Sequence, residues 1–276
     1  MDFLVSVIKE FIGVDGYKRE PEGFLSWQHL LFVGLLLTAM TILAIIIGVK
    51  SKNSHEKQKN LPLIWSAILI DSFEIFKIFA LCLRSESFEP ILYNLPLFLC
   101  SVQLIAIPLA AFSKGFIRSA AIDFVCLFGI LGAIFGTIGA GQNYGCYPVL
   151  SLDNVVSGIT HSISGFASLY IMFARLTELN IKNIGSTFII LFSFCGLAYV
   201  ANITLDYNYM FLMAGDGTPY DIIYNLVNGS KVFYPLLVVL LFVVYIVAFY
   251  FIYYIINKSK NTAVTEFKEE KTSVNV

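Results

Sequence analysis

The chain has 276 residues, of which 58% are apolar, 15% aromatic and only 13% charged. Soluble domains run nearer about a quarter charged, so this composition excludes an ordinary water-soluble globule and a disordered chain alike. With 18 basic residues against 19 acidic ones and no basic patch, it also excludes a nucleic-acid partner. The expected fold class is all-α: a polytopic membrane protein.

Residues 1–25 form an N-terminal interfacial segment. Leu4, Ile8, Phe11 and Ile12 share one helical face, which suits a short helix lying on the outer membrane surface. The segment lacks the basic start, uninterrupted apolar stretch and cleavage site of a signal peptide. A hydrocarbon core about 30 Å thick needs roughly 20 apolar residues per helix. Seven stretches within residues 26–257 qualify: Trp27–Val49, Pro62–Leu83, Leu92–Phe112, Ile117–Ala140, Asn154–Arg175, Ile184–Asp206 and Val232–Ile256. The expected architecture is a bundle of seven transmembrane helices. With the N-terminus outside, twelve Lys and Arg residues fall on the inner side and five on the outer, with Lys77 inside a span. That bias predicts N-terminus out and C-terminus in, with 258–276 a disordered cytoplasmic tail. The expected location is the cell membrane.

Ionisable groups inside a bilayer are costly, so each needs an account. Asp71, Glu74 and Lys77 recur at spacing three along one face of the second span. They read either as a structural ion pair or as the polar wall of a substrate cavity. Asp123, near the inner surface, reads as structural. Cys82, Cys126 and Cys195 read as small packing residues. Cys100, in the third span, has the same bland reading, but His161 in the fifth offers a sharper one. A buried thiol is inert unless activated, and Cys with His is a nucleophile and its base. At 1.5 Å per residue, Cys100 and His161 lie roughly 12 Å and 10 Å below the outer surface, in the layer of Glu74. His29 enters from the top of the first span, and Asn208 and Tyr209 follow the sixth. Gly129, Gly132, Gly136 and Gly139 share a face of the fourth span, where small residues let a neighbouring helix approach.

Several of these segments resemble the YwaF-like bacterial integral membrane family, related to eukaryotic transmembrane protein 164. Leu95-Pro96-Leu97-Phe98-Leu99-Cys100-Ser101 looks like the family's Leu-Pro…Leu-Cys element, and His161 falls at the family's separation from it. Asn208-Tyr209-Met210-Phe211-Leu212 matches the element after the sixth span, and Tyr234-Pro235 before the last span is similar. His29 stands where the family tends to have a histidine. The chain departs from the pattern at Phe98, a position often polar in the family. It departs again at Met213-Ala214-Gly215, which replace a basic, proline-containing stretch. The resemblance implies, for the eukaryotic relatives, an acyltransferase acting on ether phospholipids, with the Cys and His mapping onto Cys100 and His161.

The leading expectation is a membrane lipid acyltransferase or acyl hydrolase that uses Cys100 and His161. His29 and Glu74 are candidates to orient the histidine, and Asn208, with Tyr209 beside it, to support the substrate or oxyanion. Membrane lipids are the expected partners, and neither a metal nor another cofactor is expected. The alternative is a transporter or channel in which Asp71, Glu74, Lys77 and His161 line a polar path. A retinal receptor is excluded because no lysine lies in the last span.

Overall fold

Away from water, each backbone N–H and C=O must find a partner within the protein, which drives uninterrupted apolar runs into helices. The computed structural model describes residues 2–177, 179 and 184–274, with side chains for 4–177, 179 and 184–255. Among these residues there are helices and turns but no strand. In chain order the helices are α1 (Asp2–Ile12), α2 (Trp27–Ser51), α3 (Glu56–Ser85), α4 (Glu89–Tyr93), α5 (Gln103–Phe112) and α6 (Gly115–Phe135). They continue with α7 (Gly141–Cys146), α8 (Leu152–Phe173), α9 (Ile184–Leu205), α10 (Asp221–Leu226) and α11 (Phe233–Val274). Lys182 and the tail lysines that weigh on orientation lie outside the residues with described side chains; the backbone of the tail expected to be disordered, 258–276, continues α11 as helix through Val274.

Among the described residues five helices, α2, α6, α8, α9 and the apolar part of α11, are long and apolar enough to cross a membrane. Two of the seven expected spans differ from them. The second coincides with α3, which is 30 residues long but carries Asp71, Glu74 and Lys77. The third is a correction: Leu92–Phe112 is not one helix. The five-residue α4 ends at Tyr93, turns occupy 94–102, and α5 has only ten residues. Pro96 has no N–H to give and disfavours the helical region at Leu95. Ser101 then takes over part of the backbone's role. Its Oγ accepts from the Phe98 N–H at 3.0 Å and donates to the Phe98 carbonyl at 3.1 Å.

The central packing is α6 against α8, with α2 and α3 also lying on α8 and α5 on α6 and α3. Small residues set the α6–α8 distance. A Cβ added at Gly129 would stand 2.6 Å from the Ser164 carbonyl oxygen, and one at Gly165 would stand 2.6 Å from the Ala133 Cβ. Ser164 and Ser168 strengthen the contact by donating to the carbonyls of Gly129 and Cys126 at 3.4 and 2.5 Å.

At one end, α3 and α8 are joined by a bidentate ion pair, Arg84 with Asp153 at 2.7 and 3.1 Å. Tyr17 donates its phenol proton to the same carboxylate at 2.7 Å, which draws in the segment after α1. Burial first, and then the Asp153 carboxylate, push this phenol well above its usual range, so it remains the donor. Phe11 and Ile12 of α1 pack beside Ala80, Leu152 and Val156, while Leu4 and Ile8 stay exposed.

Candidate functional site

The irregular segment 94–102 carries Cys100 into the bundle beside α6. Its position is best defined from Gly132: a Cβ built there would lie 3.6 Å from the Cys100 Cβ and 4.0 Å from His161 Nδ1. The thiol-bearing residue and the imidazole therefore flank one point on α6. Their separation cannot exceed the sum of those two distances. One turn further along α6, the space beside Gly136 is filled by the His161 ring itself. Both Cys100 and His161 remain half-buried rather than sealed.

On α3, Lys77 Nζ and Glu74 Oε1 form an ion pair at 2.6 Å, with side chains 15% and 12% exposed. Such a pair survives in apolar surroundings because each charge satisfies the other. Both charges act on the Cys100 thiol, and the Lys77 ammonium acts on His161. Glu74, Lys77, Cys100 and His161 thus form one electrostatic neighbourhood. Tyr220, which precedes α10, also lies within electrostatic reach of Cys100.

The other candidates are committed elsewhere. His29 is fully buried at the start of α2 and stacked on Tyr144, with ring centroids 3.8 Å apart. Its Nδ1 accepts from the Leu25 N–H at 3.1 Å, and its Nε2 faces the Thr137 carbonyl at 3.2 Å. Both ring nitrogens are in use, in the tautomer with the proton on Nε2, and neither meets His161. Asn208 ties its own loop together. Its Nδ2 donates to the Ala214 carbonyl at 2.7 Å and to Asp216 at 2.6 Å, while its Oδ1 accepts from the Met213 N–H at 2.8 Å. Both amide hydrogens are therefore taken.

Tyr209 is a buttress of the Cys100 segment. Its hydroxyl donates to the Leu92 carbonyl, and its ring packs 5.5 Å from that of Phe98. Phe98 also meets Tyr207 and Phe211, which gives a physical account of an aromatic residue at that position. The supporting loop is strained: Met210 and Phe211 adopt φ of 55° and 54°, a left-handed conformation costing about 1–2 kcal/mol per residue. Asn202 helps to hold it. Its side chain accepts from the Tyr209 N–H at 2.6 Å and donates to the Tyr209 carbonyl at 3.0 Å.

Sequence reasoning treated Gly132 and Gly136 as packing residues and did not single out Tyr220. The glycines gave a signal in their spacing, but only the position of His161 reveals what they make room for. Tyr220 gave none, because a long loop brings it in. Among the described residues no group of three or more His, Cys, Asp or Glu side chains could hold a metal ion.

These features define a multi-helix membrane protein whose interior brings Cys100 and His161 to a single glycine. A profile of the TMEM164 family matches residues 24–253, and the chain belongs to that family. The relation to transmembrane protein 164 expected from the motifs therefore holds. No curated protein and no solved structure gives a match.

Proposed function

We propose that this protein is a lipid acyltransferase, or an acyl hydrolase, of the cell membrane, with Cys100 as nucleophile and His161 as its base. The observation that carries the reading is the meeting of both residues at Gly132. His161 takes the thiol proton, and the Cys100 thiolate attacks the carbonyl carbon of a lipid ester. The tetrahedral adduct collapses as the ester C–O bond breaks, and the departing alkoxide takes the proton from the imidazolium. This leaves a thioester on Cys100. A lyso-lipid hydroxyl, or water, then attacks the thioester carbon and gives its proton to His161. The C–S bond breaks, and the thiolate is reprotonated. The Glu74–Lys77 pair supplies a fixed polar wall beside these steps. In the proposed topology seven segments cross the membrane with the N-terminus outside, the third through the broken Cys100 segment and α5.

The test is thiol labelling with a lipid-like acylating probe, combined with lipid turnover. Cys100→Ala is expected to fold and to lose both activities, and His161→Ala to slow labelling by about 10²–10⁴-fold, the range for a lost general base. A hydroxylamine-sensitive acyl group on Cys100 supports the thioester. Full lipid turnover by Cys100→Ala overturns the mechanism and leaves the carrier reading ahead.

A further inference from the structure

Three residues after Cys100, the chain buries a side-chain amide that meets nothing. Gln103 is fully buried, and neither its Nε2 nor its Oε1 has a hydrogen-bond partner among the described residues. Among those residues it is the one side-chain amide whose N–H and C=O groups both lack a partner. A buried amide without a partner is strongly disfavoured, so its retention in a folded chain points to a polar group supplied from outside the protein.

Its position relates that missing partner to the site. The Gln103 N–H bonds the Cys100 carbonyl at 3.3 Å, and the intervening Val102 is helical at φ −55°, ψ −24°. The two residues are thus one turn apart, and side chains at that spacing leave the same face. The face continues as Ala106, Ile107 and Ala110 and packs on α6 and α3. Those helices carry Gly132, beside Cys100, and Glu74. The following face residues are apolar, so Gln103 is the last polar side chain on it before the apolar interior.

We propose that Gln103 Nε2–H donates to the acyl oxygen while Cys100 is being acylated. This deepens the Cys100–His161 reading and rests on it. As the thiolate forms its bond to the carbonyl carbon, the C=O π electrons move onto oxygen, and the oxyanion accepts from Gln103. When the C–O bond of the leaving alcohol breaks, that pair returns to the carbonyl and His161 delivers the proton to the alkoxide. A neutral amide fixed by burial is suited to this task, because it needs no reorganisation when charge develops. Asn208, the other amide considered for this role, has no free hydrogen.

The experiment compares two reactions of Cys100 in the full chain reconstituted in phospholipid nanodiscs. Iodoacetamide forms a C–S bond at a saturated carbon, releasing iodide, and passes through no oxyanion. A long-chain 4-nitrophenyl ester acylates the thiol through one. Gln103→Met is expected to slow acylation by about 10²–10³-fold, the effect of losing one oxyanion donor, and to leave alkylation unchanged. It is also expected to melt no lower than the wild type, because it removes an unpartnered buried amide. If Gln103→Met does not fold, Gln103→Asn, which keeps the amide but withdraws it by one carbon, is expected to show the same selective loss. Equal acylation by variant and wild type overturns the inference, and so does a parallel fall in acylation and alkylation. A wild-type Cys100 that alkylates but never acylates overturns the proposed function itself, and the inference with it.

Discussion

The imidazole of His161 occupies the space that a side chain on Gly136 would need. One turn earlier on the same helix, a side chain at Gly132 would meet Cys100 and His161 only at ordinary contact distances, 3.6 and 4.0 Å. The two glycines therefore do different things. Gly136 makes room for the ring, whereas Gly132 stands beside both Cys100 and the ring without crowding either.

Substituting them separates these effects. Gly136→Ala is expected to push the ring aside and to destabilise the fold by about 1–3 kcal/mol, the usual effect of overpacking. Gly132→Ala is expected to fold with little change but to lose most acylation of Cys100, because its methyl takes up space beside both Cys100 and His161 that an acyl group would need. Melting temperature and labelling rate, measured on both variants, check the contrast. It fails if Gly132→Ala acylates at the wild-type rate.

Glu74 and Asp123 are both buried acids of the bundle, but Glu74, paired with Lys77, lies within electrostatic reach of Cys100. Asp123 accepts a hydrogen bond from Thr177, beyond the end of α8. Glu74→Gln is therefore expected to reduce lipid turnover more than Asp123→Asn at matched folded fraction. Equal losses contradict a role for the α3 ion pair at the site.

How far the sequence foretold this arrangement depends on the residue. Helices α2, α6, α8 and α9 were legible from their apolar runs, since in lipid the backbone has few alternatives. Cys100 and His161 were paired by depth, with an even helical rise assumed through the third span. Both residues come close to Gly132, but not by that geometry: Pro96 and Ser101 break the helix, and a turn carries Cys100. Glu74 and Lys77 were recognised because charge in a membrane is conspicuous. Gln103 is polar in an apolar run and was visible, but its lack of a partner is a three-dimensional fact. His29 and Asn208 show the converse, since the sequence marks a polar side chain without saying that local backbone groups already occupy it.

The Arg84–Asp153 pair joins the helices that carry Glu74 and His161, with side chains only 21% and 11% exposed. Asp153→Asn leaves the guanidinium without its counter-charge and is expected to destabilise the protein by about 3–5 kcal/mol. Thermal melting checks it, and an unchanged midpoint contradicts a buried pair.

Tyr17 adds a pH dependence to the same cluster. Its phenol is raised in the folded chain by burial and by Asp153, so the stability it contributes is fully present below the unfolded value of about 10. That contribution is lost as pH rises through the higher folded value. Tyr17→Phe is expected to flatten this alkaline loss, and melting curves between neutral and strongly alkaline pH measure it. An alkaline arm identical in variant and wild type rules out the phenol as its source.

The proposed topology gives a further check. A reporter fused after Lys260 is expected in the cytoplasm, and one inserted between Gly141 and Asp153 outside, from the twelve-to-five distribution of basic residues. Both reporters on one side contradict the seven-span arrangement.

The Tyr209–Leu92 hydrogen bond and the packing of Phe98 among Tyr207, Tyr209 and Phe211 join segments more than a hundred positions apart in the chain. A helix can form as it leaves the ribosome, but a turn held by such distant partners has to wait for them. The segment bearing Cys100 is made early and cannot take its final shape until the loop after α9 has emerged and docked. Until synthesis reaches that loop, the thiol has no finished surroundings, so a nascent chain cut short before it would carry both Cys100 and His161 and still lack the support of the completed site.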